Sequence, residues 1–183
     1  LEQKMKRELL IGCGRNLKKR VAVDSEEWEG LVTLDINGDH KPDILWDLER
    51  LPYSFAESNE YNEIHAYEVL EHTGRQGDWN FFFRQWAEFW RILKPGGFVV
   101  GTSPALKSAW LWGDPGHTRA VTFESFVFLS QEEYKKQVGI TAMSDYRWFY
   151  RADFELVHKD IQGESIVFAL QAIKPSRFEN GTA

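Results

Sequence analysis

Gly12 and Gly14 close the apolar run Leu9-Leu10-Ile11, and Asp35 closes the next run, Leu31-Val32-Thr33-Leu34. Glycine has no Cβ and tolerates positive φ, so a Gly-x-Gly step after a short buried strand lets the backbone approach a ligand closely. An acidic residue at the tip of the following strand can accept hydrogen bonds from both hydroxyls of a ribose. Together the two features describe a pocket for a nucleoside-containing cofactor. Each has a plainer alternative: the glycines could serve only a tight strand-to-helix turn, and Asp35 could cap a helix. Cys13, between the glycines, reads as a small filler, because a nucleophilic thiol needs an electropositive neighbourhood.

Further along, Glu68 follows a fourth apolar run and His72 stands four residues later. His117 lies in a long polar connection. Neutral imidazoles can act as bases near physiological pH, so Glu68, His72 and His117 are the candidate catalytic groups. His40, His65 and His158 fall in a turn, a strand and a hairpin and read as structural. Asp114 and His117 could share a metal, but nothing shows helix-borne ligand spacing such as H-E-x-x-H, and no metal is expected. Trp110, Trp112, Trp148, Phe149 and Tyr150 gather around the long connection. They either cover a sheet edge or form an apolar wall for a substrate.

These groups need elements to hold them. Residues 8 to 11, 31 to 36, 43 to 46, 63 to 67 and 98 to 102 read as short buried strands, which lack alternation because parallel strands are covered on both faces. The segment between the first two has poor apolar periodicity, so a short or irregular crossover helix is expected there. A second short helix is expected near 53 to 58, after Leu51-Pro52. Asp78 is a good N-cap, and after it Trp79, Phe82, Phe83, Trp86, Phe89, Trp90 and Leu93 recur at spacings of three and four. That is one apolar helix face, ended by Lys94-Pro95-Gly96-Gly97. The connection 103 to 122 is too long for a turn, and such loops are usually functional. Ser130 and Glu133 predict a capping box for a helix over 131 to 138. Phe154 to Ile161 and Ser165 to Ile173, separated by Gln162-Gly163-Glu164, predict an antiparallel hairpin. Strand–helix alternation gives an α/β, doubly wound, mostly parallel sheet, closed by that hairpin.

The chain has 183 residues, enough for one domain with a substantial core. With 28 acidic against 22 basic residues it carries a net charge of −6, which argues against nucleic acid as the main partner. No apolar run approaches the ~20 residues of a membrane span. Residues 1 to 8 are charged and lead into a strand, unlike a signal peptide. A single cysteine fits a reducing, cytoplasmic setting.

The motifs LLIGCGRN, VTLDIN, DILWDLERLPY, YEVLEH and ILKPGGFVVGTSP, in that order over residues 8 to 173, resemble the class I S-adenosylmethionine-dependent methyltransferases, particularly small members of the type 11 kind. EHTGRQGDW and WGDPGHTR are similar to bacterial and phage-encoded members. The resemblance implies a Rossmann-like seven-stranded sheet of order 3-2-1-4-5-7-6 with S-adenosyl-L-methionine as cofactor. It implies that Gly12 and Gly14 line the methionine side, that Asp35 holds the ribose, and that Ile11, Cys13 and Ile36 belong to the same cofactor-binding set. Asp47 and Leu48 would flank the adenine, and Glu68 would lie near the transferred methyl group.

Three departures stand out. Leu10 replaces an acidic residue common before the first glycine, a third glycine is absent after Gly14, and only a few residues precede the first strand. The last implies a more open site, or one closed by another subunit in a homo-oligomer. The tetrapeptide (D/N/S)-P-P-(Y/F/W) and the Pro-Cys pair of DNA methyltransferases are missing, so a small-molecule or protein acceptor is preferred. The rival readings are a methyltransferase fold that has lost activity and binds a partner, and a nicotinamide-dependent oxidoreductase. The latter would want a last glycine where Leu17 stands.

Overall fold

The computed structural model describes residues 6–178; most of the charged lead-in, residues 1–5, lies outside them. Seven strands form one sheet: β1 (Glu8–Ile11), β2 (Leu31–Asp35), β3 (Ile44–Leu45), β4 (Tyr61–Tyr67), β5 (Leu93–Pro104), β6 (Phe154–Gln162) and β7 (Ser165–Ala172). Their order is β3-β2-β1-β4-β5-β7-β6. The first five are parallel, and β7 runs antiparallel to both β5 and β6. Strand order and closing hairpin are as the sequence predicts.

Side-chain alternation along the strands sends two different sets of residues to the two faces. Leu9, Ile11, Ile64 and Ala66 face the main core. Against them packs α1 (Trp79–Ile92), begun by Asp78, whose side chain accepts from the Phe81 N–H. Phe83, Trp86, Phe89 and Ile92 of α1 are buried, and Trp86 meets Phe89, Phe126 and Phe154 edge-on. Trp79 is 39% exposed, so the predicted stripe is core only beyond its first turn. Leu93 leaves the helix to begin β5.

The opposite face is mixed: a small apolar cluster of Leu10, Cys13 and Tyr67, covered by Val21, Trp28 and Leu31, lies beside a buried set of charged groups. No helix joins β1 to β2; residues 12–30 form turns and irregular backbone. In place of a helix, Lys19 lies 2.9 Å from Glu8 and 3.6 Å from Glu63. Lys6 reaches the same two carboxylates. Glu63 accepts from His65 Nε2 at 2.9 Å, and Tyr67 O–H donates to His65 Nδ1 at 2.7 Å. The Tyr67 oxygen in turn accepts from the Arg20 and Val21 N–H groups. Burial favours the neutral form of Glu63, but His65 and Lys6 outweigh it and hold the carboxyl at about 2. The loop is thus pinned by ion pairs, one phenol and the packing of Val21 and Trp28. Apart from those two residues it presents mostly charged side chains, too few apolar positions for the expected helix to bury.

The helix expected near 53 to 58 is also absent; turns occupy those residues. Side chains of α1 take the backbone groups a helix would use. The Glu88 carboxylate accepts from the Tyr53 N–H, and Arg91 donates to the Tyr53 and Ala56 carbonyls. After β5 come three short helices, α2 (Trp110–Gly113), α3 (Phe123–Val127) and α4 (Gln131–Gln137). Ser130 caps α4 by accepting from the Glu133 N–H. The reciprocal half of the capping box does not form, because Glu133 turns to Lys136 and Gln137 and the Ser130 N–H donates to Val127. No helix among the described residues is long and apolar enough to cross a membrane.

Candidate functional site

The strand order reverses between β1 and β4, and the crevice outside such a reversal is where ligands enter open α/β sheets. A hollow of about 320 Å³ lies there. Of the residues expected from sequence, Gly12, Asp35, Ile36, Asp47, Leu48 and His72 line it. Trp46, Glu49, Val69 and Thr73 also line it and were not anticipated.

Asp35 organises the rim. Its Oδ2 accepts from the Gly14 N–H at 2.8 Å and its Oδ1 from the Asn37 N–H at 2.8 Å. His40 Nδ1 lies 3.2 Å from Oδ2. Burial alone would raise its carboxyl, but the Asn37 and Gly14 N–H groups and His40 outweigh that and keep it below the usual range. The side chain is therefore a fixed anion. Oδ1 spends one lone pair on the protein and keeps one for a ligand, whereas the second lone pair of Oδ2 faces His40 and would be shared between it and a ligand. Ile36, next along the chain, is 68% exposed and offers the hollow an apolar face. Asp47 accepts from the Glu49 N–H through Oδ1.

The two glycines behave differently. Gly12 has φ +58°, and a Cβ there would drive into Val69, 2.9 Å from Val69 Cβ. The bare backbone at Gly12 thus makes room for the chain's own Val69. Gly14 has φ +54° with open space where a Cβ would sit. A second hollow of about 160 Å³ on that side is lined by Gly12, Cys13 and Gly14 together with Arg15, Arg20 and Tyr67. Burial, and then Asp35, pushes the Cys13 thiol up, so it stays protonated, as its filler role requires. Ile11 is fully buried in the main core and lines neither hollow.

Of the three predicted catalytic residues, His72 and His117 come together, whereas Glu68 turns to β7. Glu68 sits at the end of β4 with φ +52°, and its carboxylate accepts from Ser165 on β7 at 3.0 Å. His72 is exposed and borders the larger hollow. His117 meets His72 edge-on, with ring centroids 4.5 Å apart, and its Nδ1 lies 3.0 Å from the Leu111 carbonyl. Beside both is Glu71, fully buried, which accepts from Ser103 at 3.0 Å. Burial pushes its carboxyl up to about 7, with its own N–H opposing and Glu68 adding to the rise. Glu71 escaped the sequence reading because it is an ordinary letter of the YEVLEH motif; only the fold brings it against residue 117.

Arg119 locks this corner. Its buried guanidinium donates to the Leu70 carbonyl, Thr73 Oγ1 and Gln85 Oε1 at 3.0, 3.1 and 2.7 Å. The aromatic residues near the long connection do not form one wall. Trp148 and Phe149 meet Trp79 at 5.6 and 5.2 Å, and Tyr150 is buried against Phe83. Trp110 and Trp112 project outward from α2.

The arrangement fits a nucleoside. It has a fixed carboxylate with spare lone pairs for a diol, an apolar face beside it, and a second carboxylate at Asp47. It also fits a zwitterionic tail, since Arg15 and Arg20 flank the glycine loop.

No family model matches the chain, and no curated protein matches it in sequence. Solved structures do. A S-adenosylmethionine-dependent methyltransferase from Archaeoglobus fulgidus is 16% identical, with 92% of this chain and 87% of that one covered at a TM-score of 0.56. The N-methyltransferase NodS from Bradyrhizobium japonicum, solved with S-adenosyl-L-homocysteine, is 14% identical over 92% of this chain and 78% of that one, TM-score 0.53. A methyltransferase from Methanosarcina mazei is 14% identical over 94% of both chains, TM-score 0.54. At such identities the likeness is one of fold: the chain has a class I methyltransferase-like fold.

Proposed function

We propose that this chain is an S-adenosylmethionine-dependent methyltransferase acting on a small molecule or a protein. The observation that carries the reading is the Asp35 carboxylate, held by two backbone N–H groups at the rim of a hollow at the sheet's switch point. Asp35 accepts the two ribose hydroxyls. Ile36 and Leu48 lie against the base, and Asp47 accepts from its exocyclic amine through the oxygen that Glu49 leaves free. Arg15 and Arg20 hold the amino-acid carboxylate beyond Gly14. The sulfonium of the bound cofactor supplies an already activated methyl group, so the protein's task is alignment of the acceptor.

The chain's own residues then set where the acceptor stands. His72, exposed on the rim, is placed to take a proton from it. Glu68, tied to Ser165, fixes the negative charge behind the turn. Net acidity favours a neutral or cationic acceptor over a polyphosphate backbone.

Calorimetry with S-adenosylhomocysteine tests the reading directly. Binding of one equivalent is expected, and no heat at millimolar ligand would end it. NADH in the same assay is expected to give none, and NADH binding in place of the nucleoside sulfide would move the chain to the oxidoreductases.

A further inference from the structure

Glu71 and His117 are 46 residues apart in sequence, yet Glu71, His72 and His117 each offer a ligand atom within 4.8 Å of the other two. Glu71 Oε2 takes the Ser103 hydroxyl, whereas Oε1 is buried and has no hydrogen-bond partner. A buried carboxylate oxygen left bare is costly unless something cationic meets it. The nearest candidate on the protein, His117 Nε2, stands 4.0 Å away, too far for a hydrogen bond.

The tautomers follow from the partners. A carbonyl oxygen only accepts, so His117 Nδ1, 3.0 Å from the Leu111 carbonyl, carries the proton and Nε2 carries the lone pair. His72 Nδ1, 3.2 Å from the Gly116 carbonyl, is fixed the same way. Imidazoles oriented by a hydrogen bond from the far nitrogen are the usual form of metal-binding histidine. Asp114 Oδ2 adds a carboxylate 3.8 Å from His117 Nε2. The two segments are also buttoned together, since the Thr118 N–H and hydroxyl both donate to the Glu71 carbonyl. The donors are therefore held by the fold before any ion arrives.

We infer that Glu71, His72 and His117 form a binding site for a divalent first-row transition cation, bordering the hollow that contains Asp35. Metal–ligand bonds of about 2.0–2.2 Å place neighbouring donors roughly 3.0–3.5 Å apart, so the 4.0 Å pair needs only a small inward shift. Two imidazole nitrogens with one carboxylate suit zinc, manganese, iron or cobalt better than magnesium or calcium. The other such cluster among the described residues, Glu8, Glu63 and His65, is wholly buried and different. Lys6 and Lys19 already neutralise its carboxylates, which leaves no charge for a cation. Because His72 borders the hollow, positions of the ion not taken by protein face the place where an acceptor would stand; with the ion bound, His72 Nε2 is a ligand, and the proton-accepting role proposed for it belongs to the ion-free protein alone. If the methyl-transfer reading holds, that acceptor carries an oxygen. This last consequence rests on that reading; the cation site does not.

The test is a titration of metal-stripped, full-length protein with Co2+, followed by its visible ligand-field bands, and with Mn2+ by equilibrium dialysis. One ion per chain is expected. Glu71→Gln, His72→Ala and His117→Ala should each weaken binding at least tenfold, while His158→Ala, exposed on β6, leaves it unchanged. His72 is exposed, so H72A keeps the fold even if E71Q does not, and circular dichroism checks both. Absence of bands at millimolar Co2+ in folded protein would overturn the assignment, as would bands that survive H72A and H117A combined. S-adenosylhomocysteine titrated separately reports on the nucleoside hollow, so the failure of one reading is distinguishable from failure of the other.

Discussion

Exchanging Asp35 for asparagine separates two roles that one carboxylate performs. In the native chain it holds the Gly14 and Asn37 N–H groups, each at 2.8 Å. An amide in the same place keeps one acceptor and turns an NH2 toward the other N–H, leaving a buried donor unpaired. That costs ~1–3 kcal/mol of stability. For a chain of this size it corresponds to roughly 3–10 °C in Tm. The ligand diol would lose a charged acceptor for a neutral one and a donor, about 1.4–2 kcal/mol, or roughly 10–30-fold in Kd. D35N is therefore expected to melt earlier and to bind S-adenosylhomocysteine more weakly in calorimetry run below its own transition. Asp39→Asn, on an exposed turn nearby, should change neither quantity. If D35N bound with native affinity the diol assignment would be wrong, and if it melted like the parent the pinning of Gly14 and Asn37 would be wrong.

Other expectations follow from the same geometry. Gly12→Ala forces a Cβ into Val69 at φ +58° and should cost about 1–3 kcal/mol in urea denaturation, with partial recovery in G12A/V69A; an undiminished midpoint would refute the close packing. Glu63 is held at about 2 against an ordinary 4.5, so its contribution is present above pH ~4.5 and drains away as pH falls toward ~2. Denaturation midpoints across that range should fall, and E63Q should flatten this limb while losing up to ~3 kcal/mol at neutral pH, the worth of the displacement that His65 and Lys6 impose. Trp86→Ala, which empties the place where α1 meets Phe126 and Phe154, should cost ~3–5 kcal/mol; a loss under 1 kcal/mol would show that this contact is not the centre of the core.

The strands were legible because buried parallel strands are short, continuous apolar runs, and LLI, LVTL and FVVG stand out among charged neighbours. The α1 face was legible for the complementary reason, a period near 3.6. Asp35 and Asp47 were found because each closes such a run. What failed is tertiary. Residues 53 to 58 have helical composition, but their backbone groups are claimed by Glu88 and Arg91 from α1. Residues 12–30 lack a helix because lysine-to-carboxylate contacts fix them to the sheet. Gly12 lines both hollows as expected, but what forbids a side chain there is the chain's own Val69, which the sequence does not reveal. Glu71 and His117 could not be paired by inspection, since no periodicity links residues so far apart; a bare buried oxygen revealed them.

The charged bracing under residues 12–30 also governs how that segment can come loose. It has no helical ladder to melt, and letting go breaks contacts such as Lys19 to Glu8 while the strand-to-strand bonds stay intact. What is uncovered is a row of charged groups with one small apolar cluster, Leu10, Cys13 and Tyr67, while the main core on the other face stays closed, so partial opening does not drag the rest of the molecule with it. Amide exchange should run fast there and slow in β1 beneath it, and added salt should change the gap little, because Lys19 and Glu8 are shielded from counterions.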